Sequence, residues 1–141
     1  MGKKSADHII LIPTQKPWKR ESKILQFDKI RQCRIFIFMI FIETSKFTKL
    51  LSDYLSDDEY RMLQWHLQEK PDSGDIVRGS GGVRKVRWAP EGKGKSGGVR
   101  VIYYWKKSEH EMWMLTIYSK SDQASIPGHI LKNIAEAIEN E

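Results

Sequence analysis

Val83-Arg84-Lys85-Val86-Arg87-Trp88, Val99-Arg100-Val101-Ile102-Tyr103-Tyr104-Trp105 and Met112-Trp113-Met114-Leu115-Thr116-Ile117-Tyr118 are three runs dense in β-branched and aromatic residues. Such side chains fit a pleated sheet, so three runs in succession predict an antiparallel meander. Glu91-Gly92-Lys93-Gly94-Lys95-Ser96-Gly97-Gly98 joins the first two, and Lys107-Ser108-Glu109-His110 makes a tight turn before the third. Upstream, Gly79-Ser80-Gly81-Gly82 reads as a linker that lets the sheet begin.

Before that linker the period changes to that of helices. From Ser45, the residues Phe47, Leu50, Leu51 and Tyr54 recur at helical spacing. Ser56-Asp57-Asp58-Glu59 is a capping box, and Tyr60, Leu63 and Leu67 then line one face until Pro71 and Gly74 end the element. Ahead of both helices, Ile40-Phe41-Ile42-Glu43 reads as a first strand. Downstream of the meander, Ile126, Ile130, Ile134 and Ile138 recur every fourth residue and predict a C-terminal amphipathic helix. The predicted order is β-α-α-β-β-β-α, an α+β fold in which two N-terminal helices and one C-terminal helix pack on an antiparallel sheet.

Residues 1 to 34 show no sustained period, and no element is assigned there. The preferred reading is a domain of residues 39–141 preceded by a poorly defined basic extension, with Met39 as the functional start. The alternative is a real N-terminal extension, either an added edge strand at 35–38 or a flexible basic arm. A chain of 141 residues with 40% apolar content fits one domain. Its single Cys33 excludes an intrachain disulfide and a cysteine metal cluster, and the apolar run of residues 35–42 is far short of a membrane span. With no signal peptide recognisable, a cytoplasmic location is expected.

Charge is distributed unevenly. The net +6 resides in residues 1–38, which hold nine Lys/Arg against three Asp/Glu, so residues 39–141 balance. Within that balanced part, residues 78–107 carry nine cations (Arg78, Arg84, Lys85, Arg87, Lys93, Lys95, Arg100, Lys106 and Lys107) against Glu91 alone. Residues two apart in a strand share a face, so Lys85 and Arg87 point one way and Arg84, Val86 and Trp88 the other, while Arg100, Ile102 and Tyr104 share a face. If Lys85, Arg87 and Arg100 meet on a face free of helices, they form a phosphate site, with Tyr103, Tyr104, Trp88 and Trp105 supplying surfaces for base stacking. Solubility alone explains any single cation, though less readily the group.

Other chemistries are poorly supported. The loop Gly92-Lys93-Gly94-Lys95-Ser96-Gly97-Gly98 leads into a strand, whereas a nucleotide-binding loop opens a helix whose N-terminus holds the phosphate. None of His8, His66, His110 and His129 falls in the basic stretch, and no carboxylate cluster accompanies it. Hydrolysis would then rest on Lys, Arg, Tyr and Ser. RNA permits this because it carries its own 2′-OH nucleophile. Crowded cations favour a neutral amine that can accept a proton, and arginines stabilise charge on phosphorus.

Several segments carry a family resemblance: Ile42-Glu43-Thr44-Ser45 leading into Phe47, Leu55-Ser56-Asp57-Asp58-Glu59-Tyr60, Gly79 through Arg87, Gly92 through Tyr104, and Leu115-Thr116-Ile117-Tyr118-Ser119-Lys120. In this order they resemble the RelE/ParE toxin superfamily, specifically its HigB-like (RelE-like) branch, over residues 39–141. The resemblance implies a microbial-RNase-like fold and ribosome-dependent cleavage of mRNA without a metal or small-molecule cofactor. It also implies a cognate antitoxin as partner and no membrane association. It places Lys85 and Arg87 at the family's paired basic positions, Arg100 at its arginine on the next strand, and Lys120 beside a position where many members carry a catalytic arginine, now Ser121. The expected catalytic set is therefore Lys85, Arg87, Arg100 and Lys120, with Arg84, Lys93, Lys95 and Tyr104 binding RNA. A tyrosine that some members use near the C-terminus has no counterpart after Lys120. The alternatives are a ParE-like gyrase poison, which shares the fold, or a non-catalytic nucleic-acid-binding module.

Overall fold

The computed structural model describes the backbone of residues 6–12 and all atoms of residues 38–89, 98–122 and 126–141. The chain runs β1 (Ala6–Ile12), β2 (Met39–Thr44), α1 (Ser45–Tyr54), α2 (Asp57–Glu69), β3 (Asp75–Ile76), β4 (Arg84–Trp88), β5 (Val99–Lys106), a 3-10 turn (Lys107–Glu109), β6 (Glu111–Ser119) and α3 (Gly128–Glu139). It is an α+β fold built on one mixed sheet, ordered β1-β2-β6-β5-β4-β3.

The meander β4-β5-β6 is antiparallel as expected, but β2 lies parallel to β6, with Ile42 opposite Trp113. The expected all-antiparallel sheet is thus corrected. The strand ahead of the helices does not extend the meander at its β4 end; it returns beside β6, the strand most remote from it in sequence. β6 consequently sits inside the sheet, and its residues 111–118 are all buried. A strand covered on both faces carries no polar alternation, and its sequence cannot say which neighbour it takes. β1 is a second departure, since it pairs antiparallel with β2 from Ala6 opposite Thr44 to Ile12 opposite Met39, where no element was expected. The alternative strand at 35–38 lies almost wholly outside the described residues.

Local chemistry sets the helix ends. Thr44 caps α1 by accepting from the Phe47 amide at 3.2 Å, and its hydroxyl also donates to the Leu115 carbonyl on β6 at 2.8 Å. The capping box of α2 is complete: the Ser56 amide donates to Glu59 at 2.8 Å, and the Glu59 amide to Ser56 at 3.3 Å. Such a cap typically contributes about 1 kcal/mol.

Helices cover both faces of the sheet. On the first face Phe47, Leu63 and Leu67 of α1 and α2 close over Phe41, Val101, Tyr103 and Met114. On the second, Leu131, Ala135 and Ile138 of α3 close over Ile42, Ile102 and Trp113. The isoleucine stripe of α3 is only partly inward, since Ile130 and Ile134 are exposed at 45% and 37%. A four-residue step overshoots the 3.6-residue turn, so the stripe winds around the helix: of its members within α3 only Ile138 is buried in the core, while Ile126 packs against that core from ahead of the helix. α3 also approaches the loop after β3 so closely that a Cβ on Gly128 would stand 2.1 Å from the Arg78 carbonyl oxygen, which explains glycine there. Among the described residues, no helix is long and apolar enough to cross a membrane.

Candidate nucleic-acid interface

Strand register assembles the basic face. Arg87 on β4 stands directly opposite Arg100 on β5, and Arg100 stands opposite Tyr118 on β6, so one row crosses three strands. Lys85 lies in the next but one row, opposite Ile102 on one side and Asp75 of β3 on the other. Because Ile102 and Tyr118 belong to the α3-side core, this is the second face of the sheet. α3 does not bury it entirely: Arg87 is exposed, and Lys85 and Arg100 are half-buried. The condition set by the sequence, a face free of helices, therefore holds for only part of this face.

Electrostatics leave these cations poised for an anion. Like charges directly opposite on neighbouring strands repel, at a cost of roughly 0.2–1 kcal/mol. Among the described residues, ion pairs join Arg61 to Asp58, Lys106 to Glu109 and Lys132 to Glu136, and none engages Lys85, Arg87 or Arg100. Tyr118, buried in the floor beside Arg100, feels two opposed influences: burial pushes its phenol up, and the Arg100 guanidinium pulls it down. Two members of this face escaped the sequence reading. Tyr118 was recognisable only as a strand residue, because its place opposite Arg100 depends on the β5–β6 register. Asp75 lies outside the basic stretch, and the short edge strand β3 returns it to Lys85.

The other expected site residues take varied places. Lys120 is exposed, one residue past the end of β6 and on the same side of the sheet end as the Arg87–Arg100 row, since Ser119 pairs with Val99 and Val99 with Trp88. Lys93 and Lys95 lie outside the described residues. Arg84 stands on the opposite face, where its guanidinium donates to the Asp72 carbonyl at 3.1 Å and the Gly74 carbonyl at 2.8 Å. Tyr104 shares the basic face, but its hydroxyl donates to Glu139 of α3 at 2.5 Å.

The other aromatic residues expected to stack, Tyr103, Trp88 and Trp105, do not form an open platform. Tyr103 is fully buried, accepting from the Gly74 amide at 3.0 Å and donating to the Pro71 carbonyl at 2.7 Å. Trp88 packs toward the α1–α2 core with its ring 5.4 Å from His66. Trp105 packs toward the same core, with the Lys107 ammonium 4.9 Å from its ring centre. A separate groove of about 370 Å³ runs beside α3, lined by Trp113, Leu115, Ile130 and Ile134 among others, and none of the described residues lining it is a cation. No protein-family model matches the chain.

Proposed function

We propose that the protein is the toxin of a type II toxin–antitoxin pair, an endoribonuclease that cuts mRNA on the ribosome, arrests growth, and is silenced by a cognate antitoxin. The observation that carries the reading is the Arg87–Arg100–Tyr118 row with Lys85 on the same open face. In the proposed reaction the 2′-oxygen forms a bond to phosphorus as the bond from phosphorus to the 5′-oxygen breaks. The 2′-OH proton passes to a base on this face, and the departing 5′-oxygen takes a proton from an acid. Arg87 and Arg100 stabilise the charge that gathers on the phosphoryl oxygens. Lysine, tyrosine and a single edge carboxylate make a loosely matched acid–base set, so much of the rate must come from holding the 2′-OH in line with the scissile phosphate. Such positioning is worth roughly 7 to 11 kcal/mol in favourable cases, and a ribosome-held codon offers it where free RNA does not.

The test compares cleavage of one mRNA, free and in a programmed ribosome, at equal protein concentration. Fast cleavage on the ribosome alone is expected, and comparable rates on both would leave a free-standing RNase as the better description. In cells, Lys85→Ala, Arg87→Ala and Arg100→Ala should each abolish growth arrest at equal expression, with discrete codon-phased cuts from the wild type seen by primer extension. Arrest accompanied by an SOS response without cuts would assign the protein to gyrase poisoning instead.

A further inference from the structure

We infer that Tyr54, Ser119 and Asp122 form a clasp that positions Lys120 for the cleavage proposed above, making Tyr54 and Asp122 positioning residues although neither stands on the basic face. The inference rests on that functional reading. β6 ends at Ser119, one residue beyond the Arg87–Arg100–Tyr118 row, and the chain then turns through 119–122. The turn is closed by the Asp122 amide, which donates to the Ser119 carbonyl at 3.2 Å. The Asp122 carboxylate gathers hydroxyl groups: that of Ser119, that of Tyr54 at 2.9 Å and, at the edge of hydrogen-bonding range, that of Ser121 at 3.4 Å. The Ser119 and Ser121 hydroxyls also stand 3.0 Å apart. The bonds of Ser119 and then Tyr54 hold the Asp122 carboxyl below its ordinary range, so the acceptor stays ionised.

Two features separate this from an ordinary turn. First, Tyr54 is the last residue of α1, which packs across β6 and is anchored by the fully buried Phe47, so the turn is tied to a rigid element distant in sequence. Second, the bonding passes over one residue. Ser119, Ser121 and Asp122 are all engaged, whereas Lys120, among the described residues, makes no hydrogen bond or ion pair and is exposed. A turn held on both sides of a free cation restricts where that cation can go without neutralising it. The carboxylate accepts from hydroxyls and so does not compete with substrate phosphate for the lysine.

The experiment is single-turnover cleavage on programmed ribosomes by the full-length protein, with melting temperatures recorded for Tyr54→Phe, Asp122→Asn, Lys120→Ala and the doubles Lys120→Ala/Tyr54→Phe and Lys120→Ala/Asp122→Asn. Tyr54→Phe and Asp122→Asn should lower the saturating rate about ten- to a hundredfold while leaving half-saturation unchanged, and neither should slow Lys120→Ala further. Additive losses in the doubles, or full activity of both single variants, would overturn the clasp. If Tyr54→Phe loses its fold, Asp122→Asn, a substitution at an exposed side chain, carries the same test. A fully active Lys120→Ala would likewise overturn the clasp while leaving ribosomal cleavage standing, whereas a wild type that fails to cut would sink the functional reading and the clasp with it.

Discussion

Arg84 and Arg87 are three positions apart on one strand, yet the sheet gives them opposite tasks. Arg84 ties the loop after α2 to β4 through the Asp72 and Gly74 carbonyls, and removing it leaves those acceptors to find other donors. Arg84→Ala should therefore cost about 1–3 kcal/mol in urea unfolding while the folded fraction still cleaves RNA. An unaltered midpoint with lost cleavage would return Arg84 to the RNA-binding role expected from the sequence. Among the described residues Arg87 makes no such contact, and it faces another arginine. Arg87→Ala should leave stability within about 0.5 kcal/mol of the wild type, or raise it slightly, because like-charge opposition is relieved. A clear destabilisation would mean that Arg87 holds the fold together and that its loss of activity is indirect.

Elements dock through a few polar anchors as well as apolar contact. The C-terminal turn of α3 is held by the buried Lys106, whose ammonium donates to the Ile138 carbonyl at 3.0 Å and pairs with Glu109 at 3.1 Å, and by Tyr104 donating to Glu139. Burial first, and the bond to Glu139 next, push the Tyr104 phenol from its ordinary 10.0 to about 12. A raised folded-state value means that the native protein keeps the proton where the unfolded chain has lost it. The contribution is thus complete below pH 10 and fades between pH 10 and about 12. Thermal melts over this interval should show the wild type losing stability faster than Tyr104→Phe. The other tyrosines titrate in both proteins and cancel in the comparison. Parallel curves would show that this bond does not fasten α3.

For the molecule as a whole, the sheet ends on one side at β1. β1 supplies hydrogen-bond partners to β2 along its whole length. A chain beginning at Met39 would uncover the backbone groups of β2, and exposed strand edges recruit other chains. Such a chain should melt several degrees lower than the full chain and self-associate on gel filtration, although β2, β4, β5 and β6 retain their mutual pairing. A monomer of unchanged stability would show β1 to be dispensable and would support Met39 as the start of the domain.

Much of this protein is written in patterns that span a few residues. The capping box at Ser56, the helical spacing from Phe47 to Tyr54, the strand-rich meander and the separation of Lys85 and Arg87 from Arg84 all follow from backbone periods of 3.6 and 2. Four decisions came only with tertiary structure. The register that sets Arg87 against Arg100 and Arg100 against Tyr118 depends on how long strands align across a loop, which no local pattern encodes. The parallel place of β2 and the position of α3 on the second face were hidden because β6 is apolar on both sides, so burial could not tell one face from the other. The bond from Tyr54 to Asp122 joins residues 68 positions apart, and only the packing of α1 across β6 brings them within reach.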